Sequence, residues 1–144
     1  MDLSRLDHVP TVKLAMTTFP HAVDIDEPLA RAREMMRQHA IHQLPVTERG
    51  ALVGVISDRD VARVARERSQ AGRVRDACVL DAYVVDHGEP LDRVLLRMAR
   101  DHIGAALVVR RGKLVGIFTV TDACRLFAEW LHVRFPGGGG DEAA

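Results

Sequence analysis

Residues 46–60 read VTERGALVGVISDRD, and residues 108–122 read VVRRGKLVGIFTVTD. At a constant offset of 62, seven of these fifteen positions are identical: Val46, Arg49, Gly50, Leu52, Val53, Gly54 and Asp60 of the first stretch recur as Val108, Arg111, Gly112, Leu114, Val115, Gly116 and Asp122. Each stretch places two apolar runs around an Arg-Gly turn and follows them with a hydroxyl residue and, three positions on, an aspartate. Self-similarity of this kind signals a repeat architecture before any single element is assigned.

Working outward, the register holds without a gap from about residue 12 to 63 against 74 to 125. Val12 matches Val74, Val23-Asp24 matches Val85-Asp86, Glu27-Pro28-Leu29 matches Glu89-Pro90-Leu91, Met36 matches Met98 and Ile41 matches Ile103. Periodicity then assigns the elements of one copy. Short extended segments at 22–25 and 83–86 come first. Pro28 and Pro90 stand near the first position of a helix, where a missing N–H costs nothing. Leu91, Val94, Leu95, Met98 and His102 follow at helical spacing, and Leu29, Ala32, Met36 and Ala40 form a weaker stripe in the first copy. The apolar runs 43–47 and 52–56, and their counterparts 105–109 and 114–118, predict two paired strands about the turns at Gly50 and Gly112. A second helix closes each copy, from Asp58 to about Arg68 and from Thr121 to about Leu131, the latter stopped by Pro136.

The predicted fold class is α/β (α+β), with two βαββα units spanning 10–70 and 72–133 and a flexible C-terminal tail over 134–144. One unit of about 50 residues is too small to cover both faces of its own sheet, so the copies are expected to pack sheet to sheet about a pseudo-twofold axis, with a cleft between them. The N-terminal stretch through Pro10 reads as a surface arm.

Bulk composition narrows the function. The 144 residues carry 20 Lys plus Arg against 20 Asp plus Glu, so no field of one sign draws the chain to nucleic acid or anionic lipid. The apolar runs fall far short of the roughly 20 residues that cross a bilayer, and the first ten residues lack a signal-peptide core, so a cytoplasmic location is expected. Cys78 and Cys124 have no metal-binding spacing and are expected to be reduced. No nucleophile elbow, phosphate-binding loop or catalytic cysteine signature is present, and no enzymatic reaction is expected.

The duplicated unit resembles the cystathionine β-synthase (CBS) domain, two of which in tandem form a Bateman module. The resemblance covers roughly residues 10–130. It rests on Val12-Lys13-Leu14-Ala15-Met16-Thr17, Glu27-Pro28-Leu29, Ile41-His42-Gln43-Leu44-Pro45-Val46, the glycine of Leu52-Val53-Gly54-Val55-Ile56, and the closing motifs Ser57-Asp58-Arg59-Asp60 and Thr119-Val120-Thr121-Asp122. The resemblance implies clefts that bind adenine nucleotides or adenosyl compounds and regulate an attached or partnering protein. The expected ligand is AMP, ADP, ATP, S-adenosylmethionine or NAD, with no cofactor required. The reading is a stand-alone regulatory sensor; the alternative is a structural or dimerisation module with vacant clefts.

The resemblance places ligand contacts at Ser57, Arg59, Asp60, Thr119, Thr121, Asp122, His42, Gln43 and Pro45. In the family the hydroxyl position of the closing motif meets phosphate and the aspartate meets the ribose hydroxyls. A carboxylate can accept from both vicinal hydroxyls, and a helix start offers free N–H groups to phosphate. Ser57-x-x-Asp60 and Thr119-x-x-Asp122 also satisfy the pattern of a capping box, and the two roles are compatible. Basic residues that hold phosphates in many relatives are replaced by His42 and Gln43, and by Gly104 and Ala105 in the second copy. Phosphate binding there would rest on Arg59, Arg110, Arg111 or backbone groups, which weighs against tight ATP binding.

The seven histidines, of which His39 and His42 are closest in sequence, form no metal-ligand pattern, and no metal is expected. Exposed apolar helical stripes predict a homodimer, closed twofold pairs being the commonest assembly, with Val61, Val64 and Ala65 from one copy and Cys124, Phe127 and Trp130 from the other.

Overall fold

The computed structural model describes residues 5–18, 20–68 and 72–137. After a 3₁₀ turn at Val12–Leu14, the elements run β1 (Thr17–Thr18), β2 (Val23–Asp24), α1 (Leu29–His39), β3 (Gln43–Glu48), β4 (Ala51–Ser57) and α2 (Asp58–Arg68). They continue with α3 (Val74–Ala77), β5 (Val84–Asp86), α4 (Leu91–Asp101), β6 (Ala105–Arg110), β7 (Lys113–Thr119) and α5 (Val120–Arg134). The βαββα order is present in both copies. Of the tail expected over 134–144, residues 138–144 lie outside the described residues.

Boundaries differ where local chemistry decides them. Pro28 and Pro90 are the N-cap residues, one position before α1 and α4, with extended ψ of 148° and 132°. Helix α5 runs one residue earlier and three later than its apolar pattern predicts, because Thr119 caps it and nothing breaks it before Phe135. The β3–β4 and β6–β7 hairpins turn at Arg49-Gly50 and Arg111-Gly112, and all four residues have positive φ (51° and 79°, 51° and 77°). That pair of left-handed residues matches the twist of the flanking strands, and a glycine at the second position adopts it without a Cβ clash.

The cores do not follow the linear order of the chain. Val12, fully buried, packs with Val85, Val94, Val108 and Phe118 of the second copy, while Val74 and Ala77 pack with Ile25, Leu29, Leu44 and Ile56 of the first. Backbone bonds fix both crossings: Val12 N–H donates to the Glu89 carbonyl at 2.9 Å, and Val74 N–H donates to the Glu27 carbonyl at 2.9 Å. Strand β1 joins the second sheet, giving the order β1-β7-β6-β5 beside the first sheet β2-β3-β4, and Val79 makes the equivalent bridge to Val55. Each copy therefore lends its opening segment to the other.

This exchange explains the repeated glycines of the strand motif. A Cβ on Gly54 would run into the Val79 carbonyl, and one on Gly116 would run into Met16 and the Thr17 carbonyl. Only a residue without a side chain lets the incoming segment lie this close.

The two sheets meet through a separate apolar cluster in which Leu107 and Ile117 pack with Leu52, Val55 and Leu114. The outward-facing dimer contacts expected of Val61 and Val64 are corrected: both are 3% exposed and belong to the first core, because α2 turns this face inward onto it. Among the described residues no helix is long and apolar enough to cross a membrane.

Candidate functional site

Strands β4 and β7 both end in a hydroxyl residue that starts a helix. Ser57 Oγ accepts from the Asp60 N–H (3.1 Å), while Asp60 Oδ2 accepts from the Ser57 N–H (2.9 Å) and hydroxyl (2.8 Å). The second copy repeats the box: Thr119 Oγ1 accepts from the Asp122 N–H (3.2 Å), and Asp122 Oδ2 accepts from the Thr119 N–H (2.9 Å) and hydroxyl (3.0 Å). The capping pattern is thus realised at both sites. The first helical N–H groups are also taken, Asp58 donating to the His42 carbonyl and Val120 to the Gly104 carbonyl. Arg59 and Thr121, next in line, keep first-turn N–H groups without a partner among the described residues.

Both helix starts open into one cleft of about 1200 Å³ between the copies. Seven of the nine sequence-predicted contacts line it: His42, Gln43, Ser57, Arg59, Asp60, Thr119 and Thr121. Asp122 and Pro45 are not on its lining. Pro45 is fully buried within β3, and the Asp122 side chain is 12% exposed with Oδ1 3.4 Å from Arg125. Arg110 and Arg111 stand at the hairpin end of β6, five or more residues from Ala105 at the cleft, about 16 Å at ~3.3 Å per residue. They cannot serve as phosphate ligands in this cleft.

The two halves of the cleft have diverged. Gln43 lies over Gly104, where a Cβ would sit 2.9 Å from its Nε2. The His42 Nδ1–H donates to Asp58 Oδ2 at 2.9 Å, so these two side chains form an exposed pair on the wall. Asp81, Tyr83, Arg97, Asp101 and His102 also line the cleft and were not singled out from sequence. They come from the segment before β5 and the end of α4, and no motif marks them. Arg97 sits 5.3 Å from the Tyr83 ring centroid and pairs with Asp101. Burial pushes the Tyr83 phenol above its ordinary pKa. The hydrogen bond from Arg100 holds the Asp101 carboxyl below its usual range, with Arg97 adding to the effect.

Among the described residues no three His, Cys, Asp or Glu side chains are grouped to hold a metal. His39 instead stacks on His21 with ring centroids 3.6 Å apart.

Residues 11–67 and 74–129 each match the model of the CBS domain. The chain is 30% identical over 115 residues to the CBS domain-containing protein YhcV of Bacillus subtilis (strain 168), a match covering 78% of this chain and 81% of that protein. It is 29% identical over 101 residues to L-aspartate semialdehyde sulfurtransferase of Methanocaldococcus jannaschii, covering 69% of this chain but 19% of that protein. The solved CBS domain pair of protein MJ0100, in complex with 5′-methylthioadenosine and S-adenosyl-L-methionine, superposes with a TM-score of 0.78 at 26% identity, covering 85% of this chain and 99% of that one. Two matched segments, the exchanged openings and the shared fold place this chain in the CBS domain family as a tandem pair.

Proposed function

We propose that the chain is a cytoplasmic, non-catalytic regulatory sensor that binds an adenosyl ligand in the cleft between its repeats and works as a homodimer. The observation that carries this reading is the convergence of two helix starts and two capping boxes on one cleft large enough for a nucleotide-sized molecule. Free first-turn N–H groups at Arg59 and Thr121 suit an anionic or polar group, and Asp60 suits the ribose hydroxyls. The ligand-bound state of the similar MJ0100 pair supports the ligand class.

The charges of the cleft narrow the class further. Asp58, Asp60, Asp81 and Asp101 line it against Arg59 and Arg97. His42 holds Asp58 and Arg97 holds Asp101, which leaves two carboxylates and one guanidinium to meet a ligand. A ligand with little negative charge fits that balance: S-adenosylmethionine and 5′-methylthioadenosine, which carry no phosphate, ahead of NAD and AMP, and those ahead of ADP and ATP. Ligand occupancy regulates only by favouring one shape or assembly over another.

A thermal-shift screen over those six compounds tests the reading. A ligand at about 100 times its Kd adds roughly 2.7 kcal/mol of stability, a rise of several degrees for a domain of this size. The expected order places S-adenosylmethionine, 5′-methylthioadenosine and AMP above ATP. No shift with any of them at millimolar concentration would leave the chain as a dimerisation module without a ligand.

A further inference from the structure

The cleft between the copies is one-sided, although the chain that forms it is duplicated. At the offset of 62, Tyr83, Arg97 and Asp101 correspond to His21, Met35 and His39, and Asp60 corresponds to Asp122. Tyr83, Arg97, Asp101 and Asp60 all line the cleft. Their four counterparts do not. A pseudo-twofold pair of equal seats would have brought both sets to its walls.

Side-chain chemistry accounts for the difference. In the second copy Arg97, with half of its side chain exposed, reaches from α4 over the Tyr83 ring at 5.3 Å from its centroid and pairs with Asp101. This wall is an aromatic ring beside a flexible cation. In the first copy the equivalent of that cation is Met35, which is 8% exposed and turned into the core. With nothing reaching between them, His21 and His39 meet directly, their ring centroids 3.6 Å apart and their planes 10° from parallel. Rings at that separation are already in van der Waals contact, and a base inserted between them would need about twice the distance. The ribose anchor differs in the same sense: Asp122 turns its second oxygen to Arg125, whereas that of Asp60 has no partner among the described residues.

We propose that each chain takes a single adenosyl ligand, with its ribose at Asp60 and its base against the Tyr83–Arg97 wall, and that the His21–His39 stack keeps the twin half of the cleft shut. This deepens the adenosyl-ligand reading above and rests on it. Tyr83 is then a specificity-determining residue, because an aromatic face, or the guanidinium plane lying over it, stacks on a purine and rewards a base where a sugar or a phosphate alone gains nothing. The duplicated fold thus holds one working seat and one blank. Within one chain the ligand has no second seat to couple to, so occupancy follows simple single-site binding without cooperativity.

Equilibrium dialysis of the full chain against S-adenosylmethionine labelled in its methyl group counts ligands per chain, with circular dichroism to verify folding. The wild type is expected to saturate at one. Tyr83→Leu keeps the apolar packing and removes the ring, and is expected to weaken binding about fivefold or more. Replacing both His21 and His39 by Ala is expected to leave that affinity within about threefold and to open a second, weaker site. Should Tyr83→Leu unfold the chain, Asp60→Asn, which keeps its cap, locates the ligand in the same half by the same readout. Two equivalents on the wild type, or a single equivalent lost with the histidine pair and indifferent to Tyr83→Leu, would overturn the one-seat assignment and leave the adenosyl reading standing. Failure of the paired histidine variant to gain a second site would overturn the role given to the stack. No binding by the wild type would overturn the adenosyl reading itself, and this inference with it.

Discussion

Asp60 gives one carboxylate oxygen to Ser57, accepting its N–H at 2.9 Å and its hydroxyl at 2.8 Å, while the other oxygen has no partner among the described residues. Asp122 makes the same cap but turns its second oxygen to Arg125 at 3.4 Å. The two aspartates are therefore unequal. Asp60→Asn retains a capping oxygen and removes the charge from the free position, and the expected loss is ten- to a hundredfold in adenosyl-ligand affinity, from about 1.5–3 kcal/mol for a hydrogen bond to a charged group. Asp122→Asn is expected to stay within about threefold of wild type. Calorimetric titration of both variants measures the difference, and equal losses would contradict it.

A methyl group on Gly54 meets a backbone carbonyl, that of Val79, whereas on Gly116 it first meets the flexible side chain of Met16. Both substitutions to Ala overpack a close crossing, at a cost of about 1–3 kcal/mol. Gly54→Ala is expected to cost more, since a thioether can swing aside and a peptide group cannot. Urea denaturation of the two variants gives the ranking.

Burial raises the Cys78 thiol above its ordinary pKa. At a given pH above neutrality it holds less of the reactive thiolate than a free cysteine does. Alkylation by iodoacetamide at pH 8, followed by peptide mass spectrometry, is expected to modify Cys78 more slowly than free cysteine, with the rate still climbing at pH values where the free thiol has levelled off.

Val12 is fully buried in the second core, and β1 pairs with β7. A chain of residues 72–137 lacks both, and it carries Val74 with no first core to receive it. Such a fragment is expected to be unfolded by circular dichroism at 25 °C. A cooperative melt would show that the exchanged segments are dispensable.

The repeat, its strands and its helices were legible because identity at a fixed offset and apolar periodicity are local signals. Seven of nine expected cleft residues also lay close to motifs. What was not legible is long-range. Nothing around Val12 or Val74 says that each belongs to the other repeat's core; the only trace is the paired glycines at 54 and 116, whose reason lies in a segment distant in sequence. Tyr83 and Arg97 escaped notice for the same reason, being brought to the cleft by packing rather than by a pattern. The burial of Val61 and Val64 was misjudged because an amphipathic stripe shows that a face is covered without showing whether the cover is its own core or a partner.

The crossed openings also constrain how such a chain can change over generations. A gene encoding a single copy would leave one vacancy in its core and one segment with nowhere to go, unless two such chains met and traded segments. Once the copies were joined, loss of either would strand the other. Recombination that moves this module as a pair keeps every exchanged segment with its core, and each half is free to drift in its surface while its opening segment stays answerable to its neighbour.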